Sequence, residues 1–321
     1  MDNTLEISIC LTLYKPNLVY LKELVTGIRN QTFQEFEIII SDNDDSESIV
    51  RDYFKGLNYR YYKNEGPKEI FYNVNNTIRK SKGQYLQFLC QDDVMLPTML
   101  EKQLSTLKKY SDCKFIYTQT KKINENSEIV NDLVEKGIGQ ISKKELGNYL
   151  FVFGCLPGNL STVMVAKYAI IAEGLFDTSM NYASDFNMWI RLSRNSGLAI
   201  NYEGLLLLRT HDNQASFTLP SRYFIRDMNR NTKILFQNSD FSWLKKYIYI
   251  NATYGKTIFI KGVKSLKHDW NFGVIWNLIR LSFPLHIFTI ILITICYYLG
   301  LKINLNFGNY NTFPGPINKD K

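Results

Sequence analysis

Two adjacent carboxylates are the clearest candidates for chemistry in this 321-residue sequence. Asp92 and Asp93 come just after the apolar run Tyr85–Cys90 and before Pro97, a residue that suits the first turn of a helix. Neighbouring carboxylates repel each other unless a cation or hydrogen-bond donors are present. Such oxygen ligands suit Mg²⁺ or Mn²⁺, which bridge phosphates while taking one or two protein carboxylates. Taken alone, the pair is equally compatible with a solvated turn that caps the next helix.

The elements that must position this pair alternate between strand and helix patterns in the first half of the chain. The apolar runs predict strands over Glu6–Leu13, Phe36–Ile40, Tyr59–Tyr62 and Tyr85–Cys90. The spacing of apolar residues predicts helices over Leu18–Ile28, over Glu69–Lys80 and after Pro97. This alternation predicts a largely parallel sheet with helices on both faces. Ligands of such folds bind where loops leave the carboxyl ends of strands, here residues 12–17, 41–46 and 91–96.

The second half of the chain has a less regular pattern. We expect strands over Asn159–Val165 and Leu198–Arg209 and a helix over Asn187–Ser193. From about Tyr223 onward the sequence predicts helices with a basic character.

The charge and the C-terminal sequence favour a membrane surface as a partner. The formal net charge is +8, and no zinc-finger, RNP or basic-helix pattern is present, so we expect no nucleic acid partner. Seven lysines and arginines between residues 245 and 280 precede Phe283–Leu301, which has no formal charge over 19 residues. This run suits a spanning helix, an in-plane helix or a buried hairpin, and we favour attachment to an anionic membrane.

Cysteine usage and the N-terminus indicate the compartment. The five cysteines are odd in number and share no metal-type spacing, which is typical of a reducing compartment. The polar start of the sequence lacks the basic-then-apolar layout of a signal peptide. We therefore expect the catalytic part in the cytoplasm, at the cytoplasmic face of the inner membrane.

Five sequence blocks in order resemble the family 2 glycosyltransferases, which have a GT-A fold. The blocks read ISICLTLYKP, NQTFQEFEIIISDND, GQYLQFLCQDDVMLP, NYASDFNMWIRL and LRTHDNQAS. The resemblance covers roughly residues 6 to 216. It implies a catalytic domain over residues 1–222, followed by a basic helical region over 223–282, the membrane segment 283–301 and a polar tail over 302–321.

The resemblance implies a nucleotide-sugar site at the first two loops. Thr12 and Tyr14 match residues that line the nucleotide base, and Asn75 matches the asparagine of a further family element. Asp42 matches an aspartate that accepts a hydrogen bond from the base, although an aspartate here also suits an Asx-turn. Asp92 matches a carboxylate near the ribose.

The resemblance also implies a metal site and a catalytic base. Asp93 and His211 match the residues that bind a divalent cation, Mn²⁺ or Mg²⁺. Asp185 matches the aspartate that removes the proton of the acceptor hydroxyl, and it also stands where it could cap a helix. Three departures from the common family pattern replace a charged residue: Val74 stands for Arg, Cys90 for Asp and Ser184 for Glu. Thr77 also stands where a Gly is common.

These roles together imply inverting transfer of a sugar from a nucleoside diphosphate donor to a hydroxyl. Membrane attachment and a cytoplasmic site point to a lipid-linked saccharide acceptor in bacterial O-antigen, capsule or related surface polysaccharide synthesis. A sugar nucleotidyltransferase is a rival, but it would need a glycine-rich loop where this sequence has LYKPN. A catalytically idle sugar-binding or scaffold protein of the same fold is a second rival.

Overall fold

The protein combines one large sheet with helices on both of its faces, and a computed structural model describes residues 5–132, 137–212 and 214–250. The strands are β1 (Ile7–Leu13), β2 (Phe36–Asp42), β3 (Tyr59–Lys63), β4 (Tyr85–Cys90), β5 (Val94–Met95), β6 (Cys113–Ile123), β7 (Ile129–Asn131), β8 (Ile138–Ile141), β9 (Val163–Ala166) and β10 (Gly197–Arg209). The α-helices are α1 (Leu18–Arg29), α2 (Glu47–Tyr53), α3 (Ile70–Lys80), α4 (Met99–Lys109), α5 (Lys143–Phe153), α6 (Lys167–Ala172), α7 (Ser184–Leu192), α8 (Ala215–Thr218), α9 (Ser221–Asn238) and α10 (Trp243–Ile250).

The sheet has the strand order β3-β2-β1-β4-β9-β6-β10-β5, with β7 paired to β6 and β8 paired to β10. The first four strands in this order are mutually parallel, and β6 is parallel to β10. β9 lies antiparallel between β4 and β6, and the short β5 lies antiparallel beside β10. The mixed α/β architecture expected from the sequence is therefore confirmed, with a central sheet that is mostly parallel.

Two apolar clusters cover the two faces of this sheet. In β1, Cys10 points into one cluster while Ile9 and Leu11 point into the other. A strand that is buried on both faces has an almost continuous apolar sequence. The sequence therefore predicts β1 and β2 although apolar and polar residues do not alternate along them. The helices α1, α2 and α4 pack on one face, and α3, α5, α6 and α7 pack on the other.

A close approach fixes α1 against the short strand β5. A Cβ atom on Gly27 would lie 2.8 Å from the carbonyl oxygen of Met95 and 2.9 Å from the Cγ1 atom of Val94. Only glycine fits at this contact without displacing the backbone of β5. The contact holds α1 beside the segment that follows Asp92 and Asp93.

The second half of the fold differs from the expectation in its boundaries. The strand expected over Asn159–Val165 begins at Val163, because Leu160–Thr162 form a 3₁₀ turn in which Asn159 Oδ1 accepts a hydrogen bond from Ser161 N. The helix expected from Asn187 begins at Ser184, so that Asp185 lies in its first turn.

The C-terminal region is helical as far as the structure describes it, in α9 and α10. In the described ranges, no helix is long and apolar enough to cross a bilayer. The predicted membrane segment 283–301 and the polar tail 302–321 lie outside the described residues, as does most of the basic region 223–282.

Candidate active site

The carboxyl ends of the central strands bring the three expected loops together. Thr12, near the end of β1, is in register with Ser41 on β2 and with Cys90 on β4. The residues that follow these positions therefore leave the sheet side by side, at the edge where α/β folds bind ligands.

Tyr14 is held at this edge by a side chain from the neighbouring loop. The Gln91 carboxamide accepts a hydrogen bond from Tyr14 N at 2.8 Å and donates one to Tyr14 O at 3.0 Å. The next residue, Lys15, has a φ of 45°, an uncommon conformation for a residue other than glycine. With its backbone fixed, the ring of Tyr14 remains 54% exposed and available to stack on a planar group.

His211 faces Asp92. The His211 Nε2 atom lies 3.4 Å from Asp92 Oδ2, and both side chains are mostly but not wholly buried. Burial raises the pKa of Asp92, and the imidazole of His211 opposes that rise. The Nε2 atom of His211 is buried and has no hydrogen-bond partner in the described part of the chain. A ring nitrogen beside a carboxylate oxygen can share a cation with it.

Asp93 lies in a different environment, and its expected partnership with His211 is not observed. Asp93 is only 2% exposed, and its Oδ2 accepts a 2.6 Å hydrogen bond from the Ser161 hydroxyl. Its Oδ1 accepts a 3.1 Å bond from Arg209 N. Burial raises the pKa of Asp93 to about 7. Both oxygens of Asp93 thus accept hydrogen bonds inside the protein, and Asp92 is the carboxylate that faces His211. The expected metal site of Asp93 and His211 stays a prediction.

Arg209 anchors this part of the site from the end of β10. The Nε atom of Arg209 donates to the backbone carbonyl of Asp92 at 3.0 Å, and the backbone N–H of Arg209 donates to the side chain of Asp93. The guanidinium also donates to Ser127 Oγ and forms an ion pair with Glu23 on α1. It stacks on the ring of Tyr20, with 4.1 Å between Cζ and the ring centroid. The wholly buried Arg209 thus fixes the backbone on which Asp92 is presented.

Asp42, the residue predicted to accept a hydrogen bond from a base, has a carboxylate that accepts hydrogen bonds inside the protein. The side chain is fully buried. Its Oδ1 accepts a hydrogen bond from Asp44 N, and its Oδ2 accepts one from Ser46 N and another from the Tyr61 hydroxyl. The carboxylate closes the loop after β2 as an Asx-turn, so its hydrogen-bonding capacity is used within the protein.

Asn75 also has a purely internal set of partners. Its Nδ2 donates to Phe176 O at 2.8 Å, and its Oδ1 accepts from Phe176 N at 3.0 Å. The side chain is buried between α3 and the segment before α7. The structure thus shows Asn75 fixing the backbone at Phe176, and the expected role of Asn75 at the nucleotide stays a prediction.

Asp185 lies in the first turn of α7. Its Oδ1 accepts a 2.7 Å hydrogen bond from Phe186 N. Burial is the main cause of the raised pKa of the Cys90 and Cys155 thiols, and the charge of Asp185 adds to it. Burial raises the pKa of Asp185 to about 6, against the hydrogen bonds from backbone N–H groups. A carboxylate with such a pKa is ionised at neutral pH and is a stronger base than an exposed aspartate.

The three departures from the family pattern have neutral or buried side chains. Burial raises the pKa of Cys90 to about 12, so its thiol supplies no charge where an aspartate is common. Val74 is part of the apolar core and Ser184 is fully buried. None of these three side chains can therefore replace the charge that the common residue would bring.

The residues present suit a divalent cation that is only partly held by protein. In the described ranges there is no group of three or more His, Cys, Asp and Glu side chains arranged to hold a metal ion. The pair of Asp92 and His211 offers one carboxylate and one unpartnered ring nitrogen. Mg²⁺ and Mn²⁺ commonly take one or two protein ligands and complete their coordination with substrate phosphates and water. The pair fits a metal of that kind.

Sequence reasoning missed three residues that position the site: Gln91, Ser161 and Arg209. Ser161 lies in the 3₁₀ turn before β9, 68 residues after the Asp93 that it contacts. Arg209 was visible as the first residue of an R-x-H block, but its contacts join segments more than 80 residues apart in sequence. Such contacts leave no signal in a single sequence.

Comparison with known sequences gives a family match that begins in β1. Residues 8–155 match the family described as Glycosyl transferase family 2. An uncharacterised glycosyltransferase of Rickettsia typhi is 28% identical over 209 residues, which are 62% of this chain and 62% of that protein. The GalNAc(5)-diNAcBac-PP-undecaprenol beta-1,3-glucosyltransferase of Campylobacter jejuni is 25% identical over 199 residues, covering 57% of this chain and 58% of that one. The matched segment thus spans about three fifths of each relative.

Comparison with solved structures matches the fold. S. aureus TarS 1–349 in complex with UDP-GlcNAc has a TM-score of 0.68 to this chain at 13% identity, and the match covers 95% of each chain. The same protein in complex with UDP has a TM-score of 0.66 at 12% identity. At these identities the likeness concerns the fold, and it agrees with the mixed α/β architecture described above.

Proposed function

We propose that the chain transfers a sugar from a nucleoside diphosphate donor to a hydroxyl of a lipid-linked saccharide, with inversion, because residues 8–155 match the Glycosyl transferase family 2. One observation carries this proposal: the Asp92–His211 pair follows β4, and the charge of Asp185 acts on the thiol of Cys90, the last residue of β4. A charge-binding pair beside a carboxylate of raised pKa is what transfer away from a diphosphate requires.

The donor's nucleotide would occupy the loops after β1 and β2. The ring of Tyr14 is exposed and its backbone is fixed, so it can stack on the base at a small entropic cost. Thr12 stands beside it, half-buried, near the end of the central strand. We propose a uridine diphosphate sugar, because the structural neighbour TarS is described in complex with UDP-GlcNAc.

The diphosphate would lie against Asp92 and His211. These two side chains would hold Mn²⁺ or Mg²⁺ together with phosphate oxygens. A divalent cation in that place offsets the negative charge that builds up on the leaving diphosphate. The side chain of Arg209 donates to the carbonyl of Asp92, and its backbone N–H donates to Asp93. These two hydrogen bonds would keep the Asp92 backbone in position.

Asp185 would act on the acceptor. Its pKa of about 6 leaves it ionised at pH 7, where it can accept the proton of the attacking hydroxyl. A base on the opposite side of the sugar from the leaving group gives inversion at the anomeric carbon. Proton transfer of this kind typically contributes about a hundredfold to ten-thousandfold in rate.

A lipid-linked acceptor is supported by the Campylobacter relative, whose name includes PP-undecaprenol. The basic charge of the chain and the exposed Trp243 and Leu244 beside Lys245 and Lys246 on α10 suit an anionic membrane surface. We therefore propose that the enzyme works at the cytoplasmic face of the inner membrane, in surface polysaccharide synthesis.

The proposal is tested by nucleotide release from UDP-, dTDP-, GDP- and CDP-sugars with Mn²⁺ or Mg²⁺ and lipid extract. We expect release from one donor class, dependent on the metal and on the lipid, and abolished in Asp92→Ala and Asp185→Ala. Asp112→Asn, which changes an exposed carboxylate in the turn before β6, is the matched control and should retain full activity. Silence across the panel, with no nucleotide binding by calorimetry, would instead support an idle sugar-binding protein.

The membrane part of the proposal has a separate test in the full chain. Flotation with vesicles containing anionic lipid should exceed flotation with neutral vesicles, and the excess should disappear as salt is raised, because screening weakens attraction to the surface. Equal flotation with both vesicle types would contradict an anionic membrane partner.

A further inference from the structure

The backbone that leads into α7 is held by a carboxylate from a different helix. Asp227, on α9, is fully buried, and its Oδ2 accepts hydrogen bonds from Tyr182 N at 2.7 Å and from Ala183 N at 3.3 Å. The residue at the N-cap position of α7 is Ala183, whose side chain cannot cap a helix. The local sequence therefore leaves this end of α7 dependent on α9.

A second residue of α9 grips the first turn of α7 from one helical turn further on. Asn231 is fully buried; its Nδ2 donates to Ala183 O at 3.0 Å, and its Oδ1 accepts from Asn187 Nδ2 at 2.9 Å. Asp227 and Asn231 are four residues apart and lie on one face of α9. Together they bind the N–H groups of Tyr182 and Ala183 and the carbonyl of Ala183, all of which precede Asp185. They also bind the side chain of Asn187, which follows Asp185.

Arg226 lies beside the carboxylate of Asp227. Its Nε donates to Asp227 Oδ1 at 2.9 Å, and its Nη2 donates to Asn181 Oδ1 at 2.9 Å. The carboxylate of Asp227 therefore accepts three hydrogen bonds, one of them from an arginine. Arg226 itself is partly exposed, so it joins the buried carboxylate to the surface.

The other titratable groups around Asp185 are neutral at physiological pH. Burial raises the pKa of Cys90 to about 12, raises that of Cys155 well above its ordinary value, and raises that of Tyr182. Asp227 is the charged side chain whose proximity adds to the raised pKa of Asp185. Its negative charge favours the protonated form of the neighbouring carboxyl, because like charges repel.

We propose that Asp227 and Asn231 are positioning residues for Asp185: the two side chains fix the first turn of α7, and the negative charge of Asp227 acts on the Asp185 carboxylate. This inference rests on the proposed role of Asp185. It extends the functional unit into α9, which lies outside the residues 8–155 that match the family. The α9 helix would then be part of the acceptor half of the site and not merely a support for the sheet.

The decisive variant is Asp227→Asn, because an asparagine oxygen can still accept from Tyr182 N and Ala183 N while the charge is removed. The measurement is the pH profile of kcat/KM at saturating metal. We expect the acid limb of the profile to move to lower pH, toward the ordinary range of an aspartate. Arg226→Gln removes a positive charge from the same group and should move the acid limb the opposite way, to higher pH.

The matched control is Asp177→Asn. Asp177 precedes α7 and pairs with Arg230 of the same helix α9, but no hydrogen bond joins its side chain to Tyr182 or Ala183 among the described residues. Its acid limb and kcat should equal those of the wild type. Asp227→Ala, which removes the hydrogen bonds as well as the charge, should lower kcat by roughly tenfold or more, since small misplacements of a catalytic group have effects of this size.

An acid limb that stays at the wild-type pH in both Asp227→Asn and Arg226→Gln would overturn the inference. Thermal melts of every variant at pH 7 establish that the compared proteins are folded, and Arg226→Gln keeps the test open should Asp227→Asn fail to fold. Failure of the proposed function looks different: Asp185→Ala would then retain the activity of the wild type. An inactive Asp185→Ala with an unmoved limb in both α9 variants would reject the positioning role alone.

Discussion

Asp92 and Asp93 are neighbours in the chain, but their side chains meet different surroundings. Asp92 faces His211 near the open edge, while Asp93 is closed in by Ser161 and the backbone of Arg209. Asp92 lies in the turn after β4 that Asp93 N closes by donating to Cys90 O, so the two side chains leave the backbone in different directions. A repeated residue type in a motif therefore does not mean a shared role.

The two carboxylates should consequently fail in different ways when removed. Asp93→Ala leaves the Ser161 hydroxyl and Arg209 N–H without their partner, so we expect the free energy of unfolding to fall by about 2–4 kcal/mol. Asp92→Ala should leave that free energy nearly unchanged, yet lower activity by roughly a hundredfold or more and weaken Mn²⁺ activation. Chemical denaturation and metal titration of both variants check this, and a larger loss of stability in Asp92→Ala would contradict it.

Asp185 carries a stability cost that depends on pH. Its pKa is raised from 3.8 to about 6, so its contribution to stability is fully present below pH 3.8 and is lost as the pH rises through about 6. Asp185→Asn keeps an oxygen for Phe186 N and avoids burying a charge. We expect this variant to be more stable than the wild type at pH 8, by on the order of 2–3 kcal/mol, and equal to it at pH 3.5.

Denaturation curves of ligand-free protein at the two pH values measure this difference. A wild type that is as stable as Asp185→Asn at pH 8 would show that the carboxylate is solvated. Together with loss of activity in the same variant, the expected gain would be a trade of stability for function at a single residue.

Not every residue of the site was visible in the sequence. The sequence indicated that Asp42 and Asn75 were important, but it did not show that the loop after β2 and the segment before α7 would consume their hydrogen bonds. The hydrogen bonds of Asp42 agree with the alternative prediction that this residue forms an Asx-turn. Choosing between the two assignments requires knowing which way the side chain points.

At the scale of elements, the loops after β1 and β4 behave as one unit. The Gln91 side chain reproduces the donor and acceptor pattern of a paired strand along Tyr14. The two loops are 77 residues apart in sequence, and their strands are adjacent in the sheet. Movement of one loop would therefore move the other, and the exposed tyrosine with it.

Replacing this amide tests the coupling between the loops. Gln91→Glu removes the donor and places a negative charge beside the Tyr14 carbonyl, so we expect nucleotide affinity to fall about tenfold, as for the loss of a hydrogen bond in a charged context. Calorimetry with the nucleoside diphosphate measures the affinity.

The control for this test is Gln34→Glu. Gln34 also donates to backbone carbonyls, at Arg29 and Gln31, but it lies before the amino end of β2, at the opposite edge of the sheet. Its affinity for the nucleotide should equal that of the wild type. An equal loss in both variants would trace the effect to net charge and not to the loop after β1.

The elements themselves were predicted unequally well. The strands β1 to β4 and the helices between them follow the expected bounds within one or two residues, because both faces of these strands are buried and the apolar runs are continuous. By contrast, β6 was not predicted. Its second half, TQTKKI, is largely polar and belongs to the strand only through pairing with β10 and β7. The bounds of such a strand are set by the strands that pair with it.

At the scale of the whole molecule, Arg209 joins parts of the chain that no single element connects. It contacts Glu23 and Tyr20 on α1, the Asp92 loop, and the turn at Ser127 between β6 and β7. A guanidinium offers five N–H donors in a planar fork, whereas an ammonium group is a compact point charge. The arrangement thus depends on arginine specifically and not on a positive charge alone.

Arg209→Lys should therefore be strongly destabilising. Lysine cannot reach all of these acceptors at once, so several buried hydrogen bonds are lost, and we expect the free energy of unfolding to fall by about 3–5 kcal/mol. Arg29→Lys is the control, since Arg29 donates to the carbonyls of Tyr53 and Lys55 at the surface, and its effect should stay below about 1 kcal/mol. Equal effects in chemical denaturation would show that Arg209 is not the junction described here.

The position of β9 has a consequence for the order in which the molecule can form. β4 and β6 do not pair with each other, because β9 lies between them and binds both. As the chain leaves the ribosome, β1 to β4 can assemble from contacts that are close in sequence, yet the free edge of β4 stays open until residue 166 has emerged. The pairing of β6 with β10 must wait until residue 209, the end of β10, has emerged. Pairings between strands that are distant in sequence slow folding. The nascent protein therefore has an unpaired sheet edge at β4 even after β1 to β4 have assembled.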